Sequence, residues 1–160
     1  MTLNHLLRCS LCACLVLLSA CATPNLSAPS ADWSGRMAIQ VLKDPPELLS
    51  ASFELRGSAQ AGHMVLLTPI GTSLARLQWQ PDHARLEQGQ QHIESHSLQS
   101  LAARLTGTEL PIAALFEWLA GRPAVAEGWH VDLSSHAQGR ITAERRSPSP
   151  ATVLRIVLDR

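Results

Sequence analysis

Apolar and polar side chains alternate along most of the chain beyond residue 32. Trp33, Met37, Ile39 and Val41 share one parity while Ser34, Arg36 and Gln40 share the other, the period-two pattern of a strand with one buried face. Pro45-Pro46 marks a turn, after which Leu49, Ala51, Phe53 and Leu55 alternate with Ser50, Ser52, Glu54 and Arg56. The glycine-bounded segment 57–62 turns the chain into a third strand over 63–67, and Ala75, Leu77 and Trp79 then oppose Arg76, Gln78 and Gln80. Pro81-Asp82 leads into Ala84-Arg85-Leu86. Five short strands joined by tight turns predict an antiparallel meander.

The period then changes. Leu98, Leu101, Ala102 and Leu105 follow helical spacing behind Ser97, a suitable N-cap, and Gly107 can end that helix. A second helix is expected to begin at Pro111, to place Ile112, Leu115, Phe116 and Leu119 on one side, and to stop at Gly121. Strand patterning resumes with Trp129, Val131 and Leu133, then Ile141 and Ala143, then Leu154, Ile156 and Leu158. Strands, two helices and strands again predict a mainly β fold: a curved antiparallel sheet whose concave face is covered by helices from the middle of the chain.

The N-terminal stretch reads differently. After His5 and Arg8, residues 11–20 carry no charge, a run too short to span a bilayer but suited to the apolar region of a secretory signal peptide. It ends in Leu18-Ser19-Ala20-Cys21, which resembles a bacterial lipobox, so residues 1–20 are expected to be removed and Cys21 to carry the lipid. Residues 21–32, rich in Pro, Ser and Ala, then form a tether to a folded domain over 33–160. All four cysteines fall within the first 21 residues, which leaves none for a disulfide framework in the domain.

Composition narrows the chemistry. With 13 basic and 13 acidic side chains in 160 residues, the chain lacks the positive field that a polynucleotide partner requires. His92 and His96 have metal-ligand spacing, yet they sit in the polar stretch QQHIESH with no suitably spaced acidic or cysteine partner, and are expected as solvated loop residues. Ser134-Ser135-His136 lacks a nucleophile elbow, no glycine loop suits a phosphate, and no catalytic group stands out, so neither an enzyme, a metal nor a cofactor is expected. One turn is unusual: Pro69-Ile70-Gly71 puts an apolar residue where turns carry polar ones. Ile70 either folds back onto the sheet edge or stands out as a tip that touches lipid.

Several short stretches occur in order over residues 33–158: Trp33-Ser34-Gly35-Arg36, Ser52-Phe53-Glu54-Leu55, Leu66-Leu67-Thr68-Pro69-Ile70-Gly71, Leu105-Thr106-Gly107 with Leu110-Pro111-Ile112, Trp118-Leu119-Ala120-Gly121-Arg122-Pro123, and Gly128-Trp129-His130-Val131. With the lipobox, this set resembles the outer-membrane lipoprotein receptor family LolB. The chain departs from the family pattern in a shorter stretch between Gly121 and Gly128 and in lacking an aromatic residue near its C-terminus. The resemblance implies a half-open antiparallel β-barrel with helices over an apolar cavity. It implies a monomer, lipid-anchored at the periplasmic face of the outer membrane, that accepts lipoproteins from a LolA-like carrier and inserts them into that membrane without nucleotide. Ala22 after Cys21 agrees with outer-membrane sorting. Candidates for the acyl-chain cavity are Met37, Ile39, Phe53, Leu55, Val65, Leu77, Trp79, Leu101, Leu105, Leu115, Phe116, Trp129 and Val131, and Pro69, Ile70 and Gly71 form the candidate insertion loop. The same apolar faces would equally build a filled core. The alternative function is therefore a β-rich outer-membrane lipoprotein acting as a structural or assembly partner.

Overall fold

The computed structural model describes residues 31–159, with Ala31 and Asp32 as backbone only. The signal peptide, Cys21 and most of the tether lie outside the described residues. Among the described residues nine strands form one antiparallel sheet: β1 (Ala31–Leu42), β2 (Glu47–Gly57), β3 (Gly62–Leu67), β4 (Ser73–Gln80), β5 (His83–Gln88), β6 (Gln91–Ser95), β7 (Trp129–Asp132), β8 (Arg140–Arg145) and β9 (Ala151–Leu158). Their spatial order is β6-β5-β4-β3-β2-β1-β9-β8-β7, with β6 and β7 as the two edges. The sheet is therefore curved but unclosed, as expected of a half-open barrel. Each hairpin joins neighbouring strands, and only the pairing of β1 with β9 brings distant parts of the chain together.

Register places the odd residues of β1 and β2 inward, with Met37 opposite Ala51 and Gly35 opposite Phe53. The polar stretch QQHIESH predicts loop where the structure has strand β6. Its sequence is polar because an edge strand needs only one inward anchor, here the half-buried Ile93 facing Leu86 across the ladder.

Two helices lie over the concave side. In α1 (Leu98–Thr106) the Ser97 hydroxyl accepts from the Ser100 amide at 3.3 Å, and Gly107 at φ 72° ends the helix with its N–H on Ala103 O. Helix α2 (Ile112–Leu119) starts one residue later than expected, with Pro111 at the N-cap. No helix among the described residues is long and apolar enough to cross a membrane.

The linker between the helices is pinned by a buried cation. Arg145 donates to the Thr108 hydroxyl at 2.7 Å and to the carbonyls of Glu109 and Pro150, while its guanidinium lies 5.6 Å from the centre of the Trp129 ring. A buried charge is costly unless hydrogen-bonded, and these neutral acceptors serve its two Nη groups, while Nε is buried without a partner.

Candidate functional site

Helix α2 divides the concave face in two. Ile112, Leu115, Phe116 and Leu119 look to one side, where they meet Met37, Phe53, Leu55, Leu66, Leu77 and Trp79 from the sheet and Leu98, Ala102 and Leu105 from α1. Between these groups is free space of about 80 Å³. The wall carries almost no polarity. Its hydroxyl, on Thr106, is bonded to the carbonyls of Ala102 and Thr108, and the indole N–H of Trp79 donates to Ser58 O at 2.8 Å. Phe116 closes one end, edge-on to Trp33 at 5.7 Å and to Trp79 at 6.3 Å. Such a space can hold apolar groups and offers no fixed partner for a polar one.

The candidates named from sequence separate into two sets. Met37, Phe53, Leu55, Leu77, Trp79, Leu105, Leu115 and Phe116 line the hollow. Ile39 and Leu101 are buried but lie in packed core away from it. Val65 belongs on the outer face, because β3 pairs it with Glu54 and Arg76. Residues 64–67 are all apolar, so alternation could not fix their parity; pairing of Met64 with Leu55 and of Leu66 with Phe53 does. Trp129 and Val131 lie on the far side of α2, where the Trp129 ring packs 6.3 Å from that of Trp118 and fills the space. Sequence reasoning omitted Leu49, Met64, Leu66, Leu98, Ala102, Thr106, Leu110, Ile112, Leu119 and Ile156, all of which line the hollow. Several share the inward parity or helical face already visible in the pattern, which was the available signal.

At the turn between β3 and β4, Ile70 is 88% exposed. The turn is well tied: Thr68 N–H donates to Thr72 O at 2.8 Å, Gly71 N–H to Thr68 O at 2.9 Å, and Thr72 N–H to the Thr68 hydroxyl at 3.0 Å. Gly71 adopts φ 83°, a conformation that glycine reaches without strain. Ile70 therefore stands at the crown of an ordered turn and does not fold back on the sheet.

The polar candidates are dispersed. His92 lies on β6 beside Arg85 and Glu87, while His96 contacts Asp82 O at 3.0 Å. His136 sits in a short 3-10 turn, His136–Gln138, with Nε2 at 3.0 Å from Leu119 O at the end of α2. Asp132 accepts from the Ser134 amide; hydrogen bonds from Ser134 hold its carboxyl below the usual range. Among the described residues no group of three His, Cys, Asp or Glu is placed to hold a metal.

Comparison with known proteins gives the arrangement a context. The family model for outer membrane lipoprotein LolB matches residues 31–149. The chain is 36% identical to the outer-membrane lipoprotein LolB of Halorhodospira halophila over 113 residues, 68% of this chain and 53% of that protein. It is 29% identical to that of Bordetella petrii over 142 residues, 84% of this chain and 69% of the relative. For Vibrio cholerae the identity is 27% over 135 residues, 76% of this chain and 65% of the relative. The chain thus spans only about half the length of the first of these relatives. Because the match runs from the first strand into the last hairpin, across the hollow, both helices and the Ile70 turn, this chain belongs to the LolB family of outer-membrane lipoproteins.

Proposed function

We propose that this chain is a lipoprotein receptor, anchored by lipid on Cys21 to the periplasmic face of the outer membrane, that takes lipoproteins from a LolA-like carrier and releases them into that membrane. The observation that carries this reading is the apolar hollow beneath α1 and α2. An acyl chain in water costs about 0.8 kcal/mol per CH₂, roughly 10 kcal/mol for a long chain, so a carrier and a receptor must hide it throughout the exchange. A wall of Leu, Met and Phe side chains suits that task because it requires no particular headgroup or peptide. The handover needs no covalent step and no nucleotide, only a favourable order of apolar environments from carrier to receptor to bilayer.

The free space of about 80 Å³ is smaller than a long acyl chain. At about 10–15 Å³ per water-sized group it admits a handful of methylenes, so acceptance requires the helices to move outward. That small volume also favours the second reading, a filled-core lipoprotein with a structural role. An apolar fluorescent probe separates the two: binding that a lipoprotein displaces supports the receptor, and no binding supports the filled core.

The direct test mixes a purified lipoprotein–carrier complex with this protein and follows the lipoprotein. Failure to transfer sinks the receptor role. In the same assay with vesicles present, Ile70→Glu is expected to accept lipoproteins normally but to deliver few of them, because a carboxylate is expensive at the acyl boundary. Folding should change by less than about 0.5 kcal/mol, as for other exposed positions. Unchanged delivery removes Ile70 from the mechanism.

A further inference from the structure

Among the described residues the exposed large apolar side chains are Leu42, Leu48, Ile70, Val125 and Val157. Three of them gather at one end of the sheet. Strand β1 runs toward that end and stops at Leu42, β2 returns from it, and β3 again runs toward it up to the Ile70 turn. The pairing of Ser52 with Leu67 places Leu48 beyond Leu67 in the direction of that turn. At about 4.8 Å per strand, the two neighbouring hairpins stand on the order of 10 Å apart.

Leu48 pairs with Gln40 on the outer face of the sheet, and Leu42 has the parity of Gln40. Its sequence neighbour Leu49 faces the other way and lines the hollow, as does Leu66 at the end of β3. The upper wall of the hollow thus ends where the exposed side chains begin. Leu42 and Leu48 are diagonal neighbours on the outer face of the first hairpin and the Ile70 turn stands apart from them, whereas a protein partner would need a continuous complementary surface of several hundred Å². Fluid hydrocarbon needs no such fit. Within the first hairpin Lys43 and Glu47 neutralise each other at 2.6 Å, so only Asp44 brings net charge to a headgroup layer.

The geometry points to a two-hairpin membrane rim: Leu42 and Leu48 enter the same bilayer surface as Ile70, tilting the domain onto the outer face of β1 and β2 and holding the top of the hollow at the lipid interface. The inference rests on the reading of Ile70 as a lipid contact. Its consequence is that an acyl chain leaving past Leu49 and Leu66 enters lipid without crossing water.

The chain's cysteines all lie at or before position 21, so a single label can be introduced into the folded domain. An environment-sensitive fluorophore is attached through Leu48→Cys, Ile70→Cys or Val157→Cys in the full chain, with the parent protein as blank. The protein is then reconstituted into vesicles of phosphatidylethanolamine and phosphatidylglycerol containing nitroxide-labelled acyl chains. Quenching at 48 comparable to that at 70, and none at 157 on the same face at the opposite end, is the expected result. Quenching at 70 alone overturns the rim and leaves the Ile70 tip standing. Quenching at 48 alone keeps the first hairpin as a lipid contact and overturns the reading of Ile70, and quenching at neither overturns both. Equal quenching at 157 means that the domain lies flat, which overturns the tilt.

Discussion

The two halves of the concave face, one lined mainly by β1–β4 and one under β7 and β8, offer the same inward alternation, yet one is hollow and the other is filled. Across α2 from the hollow, Trp118 is fully buried against Trp129, its indole N–H donates to Ala124 O at 3.0 Å, and Arg145 lies over the Trp129 ring. Two indoles occupy what would otherwise be a second space. On the hollow side the walls are mostly Leu and Met with the Phe53 ring among them, and the one large ring from α2, Phe116, is taken up at the end by Trp33 and Trp79. A void of about 80 Å³ costs about 2 kcal/mol in contacts not made, at about 24 cal/mol per Å³. The filled half supplies stability, and the hollow half gives some of it up for space that Leu and Met side chains can reshape.

Removing the ring that fills one half should have the largest effect. Trp118→Ala is expected to cost about 3–5 kcal/mol in urea unfolding, because it deletes a fully buried indole and strands Ala124 O. A loss below about 1 kcal/mol would show that the two halves are equally loose. Filling the hollow is the converse experiment. Ala102→Leu adds methylenes from the α1 wall, and displacing two ligand methylenes at about 0.8 kcal/mol each weakens apolar-probe binding roughly tenfold. Stability should hold or rise by up to about 2 kcal/mol as the void is closed. Destabilisation with unchanged probe binding would place the probe somewhere other than this hollow.

The comparison also explains which features were legible in the sequence. Alternation over 33–41, 49–55 and 75–79 gave the strands and their inward parity, and the caps at Ser97 and Gly107 bounded α1 within a residue. Hollow and filled faces, however, carry one and the same pattern: Ile39 and Met37 differ by one ladder rung, and only the second borders free space. What separates them is how α2 is rotated. Phe116 faces the hollow and Trp118 the filled side, a three-dimensional relation between helix and sheet that periodicity does not encode. Val65 failed for a more local reason, since an unbroken apolar run has no parity until its neighbours assign one. The Ile70 turn was readable as an anomaly, but its exposure depends on the hydrogen bonds that Thr68 exchanges with Gly71 and Thr72, which hold it upright.

The smallest expected effect concerns the solvent side of α2, whose orientation separates the two halves. Arg122, just past the end of the helix, grips Glu117 with Nε on Oε2 at 2.6 Å and Nη2 on Oε1 at 3.1 Å. The Arg122 hydrogen bond is the main reason that the Glu117 carboxyl titrates below its ordinary value of 4.5, and the nearby positive charge adds to it. A carboxyl with a lowered folded pKa contributes stability above its unfolded pKa and loses that contribution as pH falls through the folded one. Both groups are exposed, and water and salt screen such pairs, so Arg122→Gln should shift the urea midpoint less than either substitution above. The shift should be present at neutral pH and vanish in acid, where Glu117 is protonated in both proteins. If it persists in acid, Arg122 steadies α2 through packing of its aliphatic stem, and the boundary between hollow and filled halves does not depend on this charge.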